Sequence, residues 1–265
     1  MSHYKGLSLE GRRALVFGGT SGLGKAISIG LAQAGADVVP VGRRLEEVQR
    51  TAEEIRALGK KSLEITADVT RREDIERVIG AMMESVGGID ILVNSAGVSK
   101  RAPSLEFDDR DWDYIMDVNV RGTWHTCQMV GRVMKDQNYG RIVNLASIAS
   151  FVSAHEVTPY CASKGAVTQI TRALAAEWAK YGITINAIAP GVFETPLNSG
   201  IVSDPGRKMS IICRTPMRRF GELEEIKGVA IFLASDSASY VTGEIIAVDG
   251  GFLAQGVSEM PSFGP

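Results

Sequence analysis

The chain has 265 residues, 45% of them hydrophobic and 23% charged, which bounds it to one large α/β domain or two small ones of ordinary globular composition. A net charge of −2 with no long basic run gives no electrostatic case for nucleic acid or an anionic membrane as partner, and apolar runs such as 142–146 are too short to span a bilayer. Cys127, Cys161 and Cys213 are widely spaced and odd in number, so they fit neither a disulfide framework nor a zinc pattern, and no metal is expected. No apolar signal core follows Met1-Ser2-His3-Tyr4-Lys5, so cytoplasmic residence is the default expectation.

Residues 1–10 read as an irregular lead-in. Arg13-Ala14-Leu15-Val16-Phe17 is a short apolar run stopped by glycines and is expected as a buried strand. Gly18-Gly19-Thr20-Ser21-Gly22-Leu23-Gly24 follows, and then the helical pattern of Ala26, Ile27, Ile29, Leu31 and Ala32. Strand, glycine turn and helix form the setting in which glycines mean phosphate binding. The backbone turns sharply, approaches a pyrophosphate closely, and offers it the free N–H groups of the helix start. Gly18, Thr20, Ser21, Gly22, Leu23 and Gly24 are therefore the first candidate cofactor positions, with a plain strand-to-helix turn as the competing reading.

Residues 35–42 predict the second strand. Dinucleotide folds place an acid near this strand end to hold the ribose 2′-hydroxyl. Here Arg43 and Arg44 stand in that region, and two guanidiniums suit a 2′-phosphate. NADP(H) is expected in preference to NAD(H), the alternative being a solvated arginine pair. Leu45–Leu58 predicts a helix closed by Gly59. Ser62–Ala67 predicts a strand ending at Asp68, placed either to reach an adenine edge, with Val69 beside it, or to cap the next helix. Arg72–Val86 predicts a helix and Ile89–Val93 a fourth strand, which runs into Asn94-Ser95-Ala96-Gly97. Asn94, Ala96 and Gly97 let a cofactor lie against that strand end. Repeated β-α units with right-handed crossovers build an α/β doubly wound parallel sheet with ligands at the strands' carboxyl ends.

Residues 107–136 predict one long helical stretch in which most of Trp112, Ile115, Met116, Val118, Val120, Trp124 and Met129 serve core or helix packing. Asn119 within it is either a satisfied buried amide or a site residue. Arg141–Ala146 predicts a strand that ends at Ser147. Pro159 fits a helix start, and on that helix Tyr160 and Lys164 are i and i+4, one turn apart on one face. A phenol ordinarily titrates near about 10. An ammonium one turn away favours the phenolate and makes the tyrosine a usable general acid or base. Ile183–Ala189 predicts a sixth strand ending at Pro190-Gly191. Residues 192–217 read as irregular, with Pro196, Pro205, Gly206 and Pro216, and are expected as a substrate lid. Glu222–Leu233 predicts a helix and Ile245–Val248 a last strand. Without a repeat or linker, 1–265 reads as a single domain.

Over essentially its whole length the chain resembles the short-chain dehydrogenase/reductase family. The matching pieces are Gly18-x-x-x-Gly22-x-Gly24, Asp68, Asn94-Ser95-Ala96-Gly97, Asn119, Ser147, Tyr160-x-x-x-Lys164, and Pro190-Gly191 followed by Thr195. Phe17 stands where the family commonly has Thr, and Ser95 where it more often has Asn. The resemblance implies a Rossmann-type enzyme that exchanges a hydride between a nicotinamide and a secondary alcohol or ketone. It implies that Tyr160 transfers the proton and that Lys164 lowers the phenol pKa and holds the nicotinamide ribose. Ser147 would donate a hydrogen bond to the substrate oxygen, and Asn119 would position a water that relays protons to Lys164. Thr195 and the backbone near Val192 would hold the carboxamide. It implies a homotetramer with the 107–136 and 160–180 helices in contact.

The segment 99–107, with Asp111-Trp112-Asp113, resembles the sugar-acid branch, the gluconate and 2-deoxygluconate dehydrogenases. Lys100 and Arg101 are expected either to pair with a sugar-acid carboxylate or to form a solvated basic loop. His155 either lines the pocket or is a surface or packing residue, and Arg214, Arg218 and Arg219 are equally open. The 3-oxoacyl-carrier-protein reductases and general carbonyl reductases share the catalytic motifs. A non-catalytic dinucleotide-sensing protein is the reading of a different class.

Overall fold

The computed structural model describes residues 6–256, so the first five residues of the expected lead-in lie outside the described residues. Its strands are β1 (Arg13–Phe17), β2 (Asp37–Val41), β3 (Ile91–Asn94), β4 (Gly140–Leu145), β5 (Ile183–Pro190) and β6 (Ile245–Val248). They form one parallel six-stranded sheet in the order β2-β1-β3-β4-β5-β6. The helices are α1 (Gly22–Gln33), α2 (Leu45–Ala57), α3 (Arg72–Ser85), α4 (Asp109–Met116), α5 (Thr123–Gln137), α6 (Thr158–Trp178), α7 (Ser199–Val202), α8 (Pro205–Arg214) and α9 (Lys227–Ala234). The expected Rossmann-type, doubly wound α/β architecture is the one observed.

Strand alternation divides the core between the two faces. Ala14 and Val16 join Ile27 and Leu31 of α1 and Ala230 and Leu233 of α9 in one buried cluster. Leu15 and Phe17 join Ile75, Val78 and Met82 of α3, Val130 and Met134 of α5, and Leu174 of α6 in the other. A sheet covered on both faces explains why its strands read as continuous apolar runs.

Three expectations are corrected, and one is narrowed. Residues 62–67 do not form a strand; only Thr66 bridges to Gly42. Val38 N–H bonds Lys61 O (3.1 Å) and Gly42 O accepts from Ala67 N–H (3.0 Å), so Pro40, between them on the same outward side of β2, falls where a donor is needed. A proline has none, and the ladder breaks there. The long 107–136 helix is interrupted by a π-helical turn, Asp117–Gly122, between α4 and α5. Trp112 and Trp124 are not core residues, since each keeps more than a third of its surface exposed. Residues 192–217 are largely helical: Asp204 accepts from the N–H groups of Gly206 and Arg207, and Pro205 occupies the first turn of α8, where its missing N–H costs nothing.

One buried polar cluster ties the sheet to the helices that carry the site. Asn94 and Asn144 are register partners on β3 and β4. Asn94 Nδ2 donates to Asn144 Oδ1 (2.9 Å), and Thr126 of α5 donates to Asn94 Oδ1 (2.7 Å). Asn144 Nδ2 in turn donates to Thr171 of α6 (2.9 Å). All four side chains are almost wholly excluded from solvent. Replacing Asn144 by leucine leaves Asn94 and Thr171 short of partners in a dry place. A stability loss of roughly 2–3 kcal/mol is expected in urea unfolding of Asn144→Leu, and an unchanged midpoint would show that the cluster contributes little.

Candidate active site

A cavity of about 930 Å³ opens along the carboxyl edge of the sheet. It straddles the point where β1 is flanked by β2 on one side and β3 on the other, the topological switch at which such sheets bind ligands. Gly18 takes φ +74, and a Cβ there would lie 2.5 Å from the Ala96 nitrogen; a Cβ on Gly24 would overlap the Gly18 carbonyl. The glycines thus let the loop, α1 and the β3 exit close on one another. Ser21 is extended and its side chain caps no amide of α1, so the first-turn N–H groups, which no helix satisfies internally, have no side-chain cap. Thr20, Ser21, Gly22 and Leu23 line the cavity above them. This uncapped helix start under a glycine turn fits the pyrophosphate of a dinucleotide.

Arg43 and Arg44 line the cavity beyond β2. Arg43 donates to the Tyr114 hydroxyl (2.9 Å) and lies 3.9 Å from Asp68, so a carboxylate does approach this end of the site. Asp68 also accepts from the Thr70 N–H (2.9 Å) and hydroxyl (2.7 Å), which makes it a turn-stabilising residue as well as a lining one. Val69, Ala96 and Gly97 line the middle of the cavity, and Pro190, Gly191, Val192 and Thr195 line it past β5.

Ser147, Tyr160 and Lys164 meet in the same cavity. Ser147 follows β4 and its Oγ accepts from Ala149 N–H (3.1 Å). Tyr160 lies in the first turn of α6, after Pro159. Lys164 Nζ sits 5.7 Å from the centre of the Tyr160 ring and donates to the Leu145 carbonyl (2.6 Å). Burial holds Lys164 down to about 8. Burial also raises the Tyr160 phenol above its ordinary value, opposed by the hydrogen bond with Ser147. The expected lowering of the phenol by the ammonium is therefore corrected: desolvation acts on both groups and prevails.

Three expected site residues do not line the cavity. Asn119 is fully buried in the π-helical turn. Its Oδ1 accepts from Val98 N–H (2.8 Å), and its Nδ2 donates to Val98 O and Ser163 Oγ (both 2.9 Å), so every polar atom of the amide is engaged. Asn94 belongs to the buried cluster described above, its amide engaged by Asn144 and Thr126. Lys100 is turned outward into an ion pair with Asp111. Arg101 does line the cavity but is paired with Glu156 (2.6 Å). His155 lies at the rim with its side chain 84% exposed. Conversely, Phe252, Leu197, Arg207 and Ile211 line the cavity unforeseen. The α8 residues were legible as a helical stripe once Asp204-Pro205 was taken as a helix start; Phe252 carried no local signal.

Because Lys164 titrates lower in the fold than in the unfolded chain, its charged form costs stability below about pH 8, and that cost is relieved as pH rises toward 10.5. Carbon-13 NMR of the reductively methylated, cofactor-free protein is expected to resolve one amine titrating near pH 8 that is missing from Lys164→Met. Titration of that amine at the ordinary lysine value would show that burial does not control it.

The chain matches the family model described as enoyl-(acyl carrier protein) reductase over residues 18–253. It is 41% identical to a 2-dehydro-3-deoxy-D-gluconate 5-dehydrogenase of Escherichia coli, covering 94% of this chain and 98% of that one. It is 39% identical to a gluconate 5-dehydrogenase of Gluconobacter oxydans, covering 95% and 98%. Among solved structures, a gluconate 5-dehydrogenase from Burkholderia cenocepacia, in complex with NADP and tartrate, superposes with a TM-score of 0.92 at 39% identity, over 95% of this chain and 98% of that one. With the doubly wound sheet, the glycine turn and the Ser147, Tyr160 and Lys164 cavity, these matches establish that the chain is an oxidoreductase of the short-chain dehydrogenase/reductase family.

Proposed function

We propose that the protein is an NADP(H)-preferring dehydrogenase acting on the secondary hydroxyl or ketone of a sugar acid, in the manner of a gluconate 5-dehydrogenase. The observation that carries the reading is the convergence of Ser147, Tyr160 and Lys164 in one cavity with the glycine turn of α1. The nicotinamide, when bound, supplies or accepts the hydride. Tyr160 gives its proton to the carbonyl oxygen in reduction and takes it from the alcohol in oxidation. Ser147 donates a hydrogen bond to the same oxygen and holds it beside the phenol. Lys164, with its amine near 8, exchanges a proton with solvent close to neutral pH and replenishes Tyr160. Asn119 is assigned a positioning role: through Ser163, whose hydroxyl donates to Tyr160 O (2.7 Å), it fixes the first turn of α6.

The remaining expectations join this reading. Arg43 and Arg44 face a 2′-phosphate, and residues 192–217 serve as the lid over a single 1–265 domain. Assembly is as a homotetramer, supported by Trp112, Tyr114 and Trp124, which are more than a third exposed on α4 and α5. Cytoplasmic residence is supported by the free state of Cys127, Cys161 and Cys213.

Tyr160→Phe is expected to lower kcat by roughly 10²–10⁴-fold while NADPH still binds. Near-normal turnover by that variant would remove Tyr160 from the chemistry. A parent protein that binds NADPH but consumes none across ketone and sugar-acid panels would instead be a sensor. Arg43→Ala is expected to narrow the NADPH-over-NADH affinity ratio by about tenfold or more, measured by fluorescence titration. An unchanged ratio would place the determinant elsewhere.

A further inference from the structure

The cavity is strongly asymmetric in charge. Arg43, Arg44, Arg101, Arg207, Arg214 and Lys164 line it, against the single carboxylate of Asp68 among the described residues. Three of these six cations already have partners. Arg43 lies near Asp68, Arg101 is paired with Glu156, and Lys164 donates to Leu145 O. Arg44, Arg207 and Arg214 have no such close partner among the described residues, and of these Arg207 and Arg214 stand together on α8. No carboxylate among the described residues comes within ion-pairing distance of either one. Arg207 makes one long bond, 3.5 Å, to the Gly200 carbonyl. The Arg214 guanidinium lies 5.0 Å over the centre of the Phe252 ring, a contact that orients the fork without neutralising it.

Their placement on α8 is not accidental. Arg207, Ser210, Ile211 and Arg214 all line the cavity, and they stand at i, i+3, i+4 and i+7, one stripe of the helix. That stripe presents two guanidiniums two turns apart with a hydroxyl and an apolar side chain between them. Asp204 fixes where the helix begins by capping its start. The same stripe shares its cavity with Ser147 and Tyr160, where the reacting oxygen would sit.

We propose that Arg207 and Arg214 of α8 form the carboxylate-reading subsite, taking the role that the sequence offered to Lys100 and Arg101. The substrate is then anchored by its acid end to α8, while its secondary hydroxyl or ketone lies at Ser147 and Tyr160. Guanidinium forks bind a carboxylate by paired charge-assisted hydrogen bonds, and a neutral amide of equal size forfeits the charge. This inference rests on the sugar-acid reading above.

The test compares D-gluconate with its neutral amide in the parent enzyme, Arg207→Ala, Arg214→Ala and Arg207→Lys. Each alanine variant is expected to lower the acid-over-amide ratio of kcat/KM by about tenfold or more, chiefly through KM, with Arg207→Lys retaining more of that ratio than Arg207→Ala. NADPH affinity, measured by fluorescence, is expected to stay within about threefold and reports that each variant is folded. If both alanine variants keep the parent's acid-over-amide ratio, the arginine assignment is overturned while the sugar-acid reading stands. If they instead lose NADPH affinity tenfold, the arginines serve the cofactor phosphates and the assignment is likewise wrong. A parent enzyme that turns over neutral ketones but no sugar acid would sink the sugar-acid reading itself, and this inference with it.

Discussion

Asn144 sits where the sheet hands its geometry to the site. Its buried amide is bonded on one side to Asn94 of β3 and on the other to Thr171 of α6. Buried amides without partners cost far more than the bonds contribute, so the three elements share one permitted arrangement. The end of β4 carries Ser147, and α6 carries Tyr160 and Lys164. A second set of bonds repeats the constraint one layer nearer the cavity. Asn119 holds Val98 after β3 and Ser163 on α6, and Ser150 Oγ donates to Lys164 O (2.8 Å). The reactive groups are placed by polar contacts that themselves lie outside the reaction.

Desolvation follows from that placement. Burial removes the Lys164 amine from water and brings its titration down to about 8. The same enclosure raises the Tyr160 phenol. Of the two, the lysine is thereby the one whose titration lies closer to neutral pH. A Y-x-x-x-K spacing conveys that the two share a helix face, but the sign of each shift depends on how much water the rest of the fold excludes.

The cavity's arginines divide by what surrounds them. Arg101 and Lys100 stand in the loop after β3, where Glu156 and Asp111 meet them. Arg207 and Arg214 stand on a helix whose inner stripe brings neither guanidinium to a carboxylate among the described residues. Chain neighbours alone do not distinguish the two pairs, because the neutralising carboxylates come from other elements.

Local chemistry makes much of this protein legible in its sequence. The runs 13–17 and 245–248 coincide with β1 and β6, the glycine turn lies at a strand-to-helix junction, and Tyr160 follows Pro159 into α6. These are short-range signals: apolar periodicity, turn chemistry and helix starts. What failed depended on partners distant in sequence. Residues 62–67 have strand character, but Pro40 on β2 denies them a continuous ladder. Asn94 has the composition of a cofactor ligand, but distant amides and hydroxyls engage it in the buried cluster. Lys100 has the charge of a substrate ligand, but Asp111 holds it. The sequence by itself determined most of the elements and the candidate reacting groups, because backbone propensity and side-chain chemistry are local. Which groups face the cavity, which are neutralised and which titrate near neutrality was decided only by the tertiary structure, because burial and pairing depend on everything packed around a residue.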